Sequence, residues 1–504
     1  MKYIKYILLS TLFIGLASCE EDDSSMVTEE QLPELTAGSA NFSTYIALGN
    51  SLTAGFTDGA LFMASQENSI PNLLSQKFTM VGGGDFVQPL MNDNFGGIAI
   101  GGNRLPGFNP RLVFGGAGPV PLESVIGPVT VTTDLVSNNP SGPFNNMGVP
   151  GAKSFHLLAP GYGNIDNVSL GLANPYFVRM ASAPNASVIE DAMAQAPTFF
   201  TLWIGNNDVL GYATSGGESN PESEDYNPIT PVDGPPGVGF NQTYGALIAT
   251  LTSQGAQGAV VNIPNVTDIP HFTTVPYNPI PLDAATAGAV NHAYAEYNGG
   301  LQLALANSLI TAEEATARTI SFTASQNNAV VIEDESLTNL SGLGLPSIRQ
   351  ATANDLFVLP AASFIGTEAV SGNPLTVNGV AVPLADKWVL IPSEQAEIKT
   401  AIDTFNATIK AAATQAGLAF VDANALLNQL ANGGITSNNF NLNSSLVFGG
   451  AFSLDGVHPT ARGYALVANE FLKAIDTTYG SNFEASGNFL DIGNYPTNYS
   501  PTLQ

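Results

Sequence analysis

Apolar residues in this chain gather into two kinds of run. The first is short, unbroken and closed by a turn residue: Tyr45-Ile46-Ala47-Leu48 stopping at Gly49, TFFTLWIG at 198–205, GAVVNIPNV at 258–266 and LAFVDANAL at 418–426. Such runs predict buried strands. In the second kind, apolar positions recur every three or four residues. Phe240, Tyr244, Leu247, Ile248 and Leu251 do so, as do Ile398, Ile402, Phe405 and Ile409, and 283–309 reads as helix rich in alanine and leucine. The two kinds alternate. This predicts an α/β fold, a mainly parallel central sheet with helices on both faces.

Three stretches break the rhythm. Residues 20–40, EEDDSSMVTEEQLPELTAGSA, are acidic and aperiodic and read as a tether. Residues 82–145 are full of GGG, NNP and SGP and read as a loop-rich insertion. Residues 312–392 read as a second insertion, a candidate cap near the site, with a hairpin expected around VNGVAVPL. The apolar residues of the two insertions are candidates for shaping a pocket.

The N-terminus changes the picture of where the chain acts. Lys2 and Lys5 precede ILLSTLFIGL, too short to span a bilayer and shaped like a secretory signal. It ends at LASC, and Cys19 is the only cysteine of the chain. LASC resembles the lipobox of bacterial lipoproteins, which implies cleavage after residue 18 and lipidation of Cys19, an anchor that does not span the membrane. The EEDDSS that follows resembles the acidic export signal of surface lipoproteins in the Bacteroidetes, so the expected location is the outer membrane, facing outward. With one cysteine, no disulfide can form within the chain. The formal net charge is −28. Removing residues 1–18 takes away two lysines and no acids, leaving −30. Such a surface argues against nucleic acid and anionic headgroups as electrostatic partners.

Candidate chemistry lies at the strand ends. In YIALGNSLTAGF, residues 45–56, Ser51 follows an apolar run closed by glycine. The C-terminal ends of strands face the binding crevice in open α/β sheets, so Ser51 is a candidate nucleophile as well as a turn serine. In DGVHPTARGYALVANEFL, Asp455 and His458 stand three residues apart ahead of a helical pattern starting near Pro459. A carboxylate holding one imidazole nitrogen lets the other take a proton from a serine hydroxyl. In WIGNNDVLG, Asn207 follows a strong strand and its amide can donate to a developing oxyanion. In NNMGVPGAKS, Gly151 can offer an unobstructed backbone N–H.

Taken in order, GNSLTAG, Gly151, Gly205 to Asp208 and Asp455 to His458 resemble the blocks of the SGNH (GDSL-type) hydrolases, across residues 45 to about 475. The resemblance implies a three-layer α/β/α, flavodoxin-like fold with a central parallel sheet and long loop-rich insertions. It also implies ester hydrolysis through an acyl-enzyme, without a metal or other cofactor. Ser51 would be the nucleophile, His458 the base and Asp455 its partner. The oxyanion hole would be the N–H groups of Ser51 and Gly151 with the Asn207 side chain. One departure is Asn50, where the family has aspartate. The division this implies is a signal at 1–18, a lipidated tether at 19–40, a hydrolase domain at 41–480 and a tail at 481–504.

The remaining polar residues carry plainer expectations. His156, His271 and His292 match no local metal-ligand spacing and read as structural or surface histidines. Asp208 is expected to brace the turn that aims Asn207, Arg349 to sit in an ion pair and Trp203 to belong to the core. The leading function is cleavage of acyl esters, lipid or other. Removal of O-acetyl groups from glycans is the alternative with the same chemistry. A surface lipoprotein that binds a glycan or lipid without turnover is the alternative of a different class. Peptide hydrolysis is disfavoured by the resemblance alone.

Overall fold

The computed structural model describes residues 32–373 and 375–503. Cys19 and the expected signal sequence lie outside them. Five parallel strands form the central sheet: β1 (Tyr45–Gly49), β2 (Asn146–Gly148), β3 (Phe199–Trp203), β4 (Gln257–Val261) and β5 (Ala419–Val421). Their spatial order is β5-β4-β3-β1-β2, read from the other edge as 2-1-3-4-5. That is the flavodoxin-like doubly wound order, whose switch point lies between β1 and β3. Both β1 and β3 are buried over all five residues, so neither alternates polar with apolar; the one hydroxyl of β3, on Thr201, bonds to the Tyr45 hydroxyl of β1 at 2.9 Å.

Helices cover both faces. On one side α2 (Ile70–Thr79) packs with α7 (Ala461–Tyr479), and on the other α4 (Phe240–Thr252) packs with α5 (Pro392–Ala416). The apolar stripe of α5, Ile398, Ile402, Phe405 and Ile409, is wholly buried, and Phe405 stacks on Phe240 of α4 at 4.0 Å between ring centroids. Three further helices follow strand ends: α1 (Ser51–Ala54), α3 (Asn207–Thr214) and α6 (Ala423–Ala431). The result is a three-layer α/β/α fold. No helix among the described residues is long and apolar enough to cross a membrane.

Several expected boundaries shift. LAFVDANAL divides into β5 and the start of α6, because Asp422 caps the helix by accepting a hydrogen bond from the Ala425 N–H. The 283–309 stretch forms two helices, Ala284–Ala293 and Ala295–Ala306. VNGVAVPL makes a tight turn with isolated bridges at Val377, Asn378 and Val382, not a regular hairpin. Residues 34–40 and the C-terminal tail are not free. The Asn482 side chain accepts from the Thr36 N–H and donates to the Glu34 carbonyl, while Phe483 and Ile492 are fully buried in the main core. Apolar residues placed late in the tail are what draw it back onto the domain.

The two insertions differ in how they pack. Residues 82–145 form short two-stranded ribbons, and Met91, Ile98 and Leu135 pack with Ala54, Leu61 and Tyr176 in a small apolar cluster separate from the main core. Residues 312–392 share the main core. Within that second insertion Arg349 is buried, bonded to Asp334 at 2.5 Å and held by both oxygens of Asp355, so it is an internal ion pair as expected.

Candidate active site

The turn after β1 starts with Asn50. Its side-chain oxygen accepts from the Leu52 N–H at 3.0 Å, capping α1, and its amide donates to Asn206 Oδ1 at 3.1 Å. Asn50 is fully buried, so both polar ends need partners and both have them. This answers the departure from aspartate: the amide ties the Ser51 turn to the end of β3 with no buried charge. Ser51 follows as the first residue of α1, 8% exposed.

Its hydroxyl lies 2.9 Å from Nε2 of His458, and Nδ1 of that ring lies 2.9 Å from Oδ2 of Asp455. Ser51, His458 and Asp455 are thus joined in one hydrogen-bonded line. Thr460 caps α7 by accepting from the Gly463 N–H, and the turn before that cap carries both acid and imidazole. Asp455 Oδ1 accepts from the Val457 and His458 N–H groups and from the Ser453 hydroxyl. Oδ2 accepts from the Gly59 N–H at 2.9 Å. Burial alone would raise the pKa of this carboxyl. The His458 ring and the backbone donors outweigh that and hold it well below the usual aspartate value.

The sequence reading did not find the groups that dock the two loops. Asp58 is buried, accepts from the Leu454 N–H at 3.0 Å, and its own N–H donates to Ser453 Oγ. Thr57 donates to the Pro459 carbonyl and Tyr464 to that of Phe56. Burial, offset in part by the Leu454 N–H, pushes Asp58 up to about 7. The only local signal was the Asp58-Gly59 turn dipeptide.

The oxyanion candidates are linked to one another. Gly151 has φ +81°, a left-handed conformation that glycine adopts freely, and its N–H has no hydrogen-bond partner among the described residues. The Asn207 amide donates to the carbonyl of Ala152 at 2.9 Å. An amide group has two N–H donors, which leaves one for a ligand. Asp208, fully buried, accepts from the Ser154 N–H at 2.8 Å and its hydroxyl at 2.6 Å. Consecutive residues of α3 therefore clamp the Gly151 turn, a wider role than bracing Asn207 alone.

Ser51, Asn207 and His458 open into a pocket enclosing about 780 Å³, part of it open to solvent. Its walls are apolar: Leu210 of α3, Val266 and Ile269 after β4, Leu427 and Leu430 of α6, and Leu466 of α7. No described residue of 82–145 or 312–392 lines it, so the insertions do not shape this pocket as expected. The second insertion instead backs the acid-bearing turn, with Leu359 against Gly456. Trp203, expected in the core, is buried yet also lines the pocket, because it ends β3 at the sheet's C-terminal edge.

The histidines outside this line do not converge. His271 is buried beneath the Asp455 turn, its N–H donating to the Gly456 carbonyl, and burial pushes its ring down to about 4. His156 stacks on Tyr162, and His292 is exposed.

No family model matches the chain, and no curated protein matches it. Among solved structures, the fold is similar to the crystal structure of an extracellular lipase from Streptomyces rimosus. The match has 12% identity, covers 86% of this chain and 98% of the other, and has a TM-score of 0.27.

Proposed function

We propose that this protein is a serine ester hydrolase of the SGNH (GDSL-type) kind, acting on acyl esters. The observation that carries the reading is the line Ser51–His458–Asp455, with 2.9 Å at each step, opening into an apolar pocket. His458 takes the proton from Ser51 as its oxygen bonds to the ester carbonyl carbon. Asp455, ionised, keeps the ring oriented and steadies the imidazolium. The carbonyl oxygen gains negative charge and is met by the N–H groups of Ser51 and Gly151 and the free donor of Asn207. When the carbon–oxygen bond to the alcohol breaks, His458 gives the leaving oxygen its proton. Water, deprotonated by His458, then attacks the acyl-enzyme, and the proton returns to Ser51 as the acid departs.

The pocket favours an acyl chain longer than acetyl, because its leucine and valine walls gain most from burying methylene groups, each about 0.8 kcal/mol. De-O-acetylation of glycans would leave those walls unused. The proposal includes export and an outer-membrane anchor through acyl chains on Cys19.

The test is a fluorophosphonate probe together with nitrophenyl esters of two to sixteen carbons, on the protein and its Ser51→Ala variant. Labelling and turnover that vanish with Ser51, with a preference above two carbons, are expected. A folded protein that neither labels nor hydrolyses any ester would favour a binding lipoprotein. Turnover restricted to acetyl esters would favour the glycan alternative.

A further inference from the structure

Away from the pocket, three carboxylates converge where the second insertion meets the core. Glu335 follows the strand Val331–Glu333, Asp386 opens the turn Asp386–Trp388, and Glu394 lies in the first turn of α5. One oxygen from each lies within 4.8 Å of the others. Acids often cluster on surfaces without consequence, but one of these is not on the surface. Glu394 is 3% exposed, and although its Oε2 accepts from the Ile391 N–H at 2.7 Å, its Oε1 is buried with no partner. Asp386 Oδ1 is likewise buried and unpartnered.

The neighbouring cations are engaged elsewhere. Arg349 holds Asp334 and Asp355, and Lys387 pairs with Asp225. The opposite wall is backbone: at Gly217, after α3, an added Cβ would lie 2.3 Å from Cδ and Oε1 of Glu394. A buried carboxylate oxygen without a donor is costly to hold, and here two belong to acids that converge with a third. A cation centred among them would satisfy all three.

We infer that Glu335, Asp386 and Glu394 form a site for one calcium ion, which joins the second insertion to α5 beside the end of α3. The ligands are oxygens alone, with neither histidine nor cysteine, which selects a hard cation over zinc or copper. Carboxylates drawn from a strand end, a short turn and a helix start suit the flexible coordination of calcium, and exposed Glu335 leaves room for waters to complete the shell. Magnesium, which demands a strict octahedron and is usually held by one or two carboxylates, fits less well. The ion would be structural, separate from the serine chemistry.

The test is calcium titration of the purified protein after treatment with a chelator, by calorimetry and thermal unfolding, beside Glu335→Gln and Glu394→Gln. We expect one saturable site and a higher Tm with calcium. Loss of a supporting group around a metal commonly weakens binding 10–100-fold, so losing Glu335 as a direct ligand should weaken it at least about tenfold. Glu335 is exposed, so its variant reads ion binding without disturbing the buried face of α5. The inference is overturned by the absence of saturable binding, by affinity unchanged in folded Glu335→Gln, or by magnesium binding as tightly as calcium. Ester turnover, read through Ser51, stands or falls independently.

Discussion

Asp455 and Glu394 are both largely buried carboxylates, yet their surroundings are opposite. Asp455 receives five hydrogen bonds, three on one oxygen and two on the other. Glu394 receives one, from the Ile391 N–H; its other oxygen has no partner, and two further acids lie close by. Both are desolvated. For Asp455 the imidazole and the N–H groups win, and its pKa falls. For Glu394 burial wins, reinforced by Glu335, and the carboxyl is pushed up to about 10. Depth in the protein does not set the charge of an acid; the supply of donors does. A site that must keep a carboxylate ionised surrounds it with N–H groups, whereas the Glu394 cluster calls for a proton or a cation from outside.

The strongest way to break this comparison is to remove the charge at the well-served end. Asp455→Asn should keep the fold and lower kcat by roughly 10⁴, the scale known when the triad aspartate of a serine protease is changed to asparagine. Ester turnover at saturating substrate checks it, and a loss below tenfold would deny Asp455 its role. Asn207→Ala should cost about 10²–10³ in kcat with little change in KM, as expected for a donor felt in the transition state. That variant also frees the Ala152 carbonyl, so its Tm should be read alongside.

At the donor-poor end the effect should reverse sign. In chelator-treated protein Glu394→Gln keeps an acceptor for Ile391 and adds a donor facing the two acids. It should raise stability by about 1 kcal/mol, roughly 1–2 °C in Tm for a chain this long. Thermal unfolding with and without chelator reads this directly.

The smallest effect separates two acids beside Ser51 and His458. Asp58, raised to about 7, contributes stability that is full below the ordinary aspartate value of 3.8 and is lost as pH rises to about 7. Asp455, lowered, works in the other sense: its contribution is present above 3.8 and is lost as pH falls below it. Asp58→Asn retains an acceptor for the Leu454 N–H, so its Tm should fall less than that of the parent between pH 4 and about 7. Parallel Tm curves for the two proteins would show that Asp58 does not titrate in this window.

Much of the site was legible because strand ends carry their own punctuation. β1 closes at Gly49 and places Ser51 at the crevice, and the three-residue spacing of Asp455 and His458 allows one turn to present both. The pocket was not legible. Leu210, Val266, Leu430 and Leu466 come from four elements, and each sits in an apolar pattern that marks it for burial without naming its neighbours. The two insertions drew attention as pocket formers through their length and apolar content, but their apolar residues are spent on a small cluster shared with Leu61 and Tyr176 or on the back of the core.

What the sequence by itself determined is local: the buried strands, the apolar stripes of α4 and α5, the start of α7 and the acid–imidazole pair. Periodicity and capping act within a few residues, so the chain states them wherever it is read. The tertiary structure alone decided which distant groups meet. The Gly59 N–H reaches Asp455 across 396 positions, and His458 reaches Ser51 across 407. The carboxylates at 335, 386 and 394 share a centre only because the second insertion folds against α5. Such contacts depend on how buried faces pack together, and a hydrophobic pattern specifies that a face is covered, not by what.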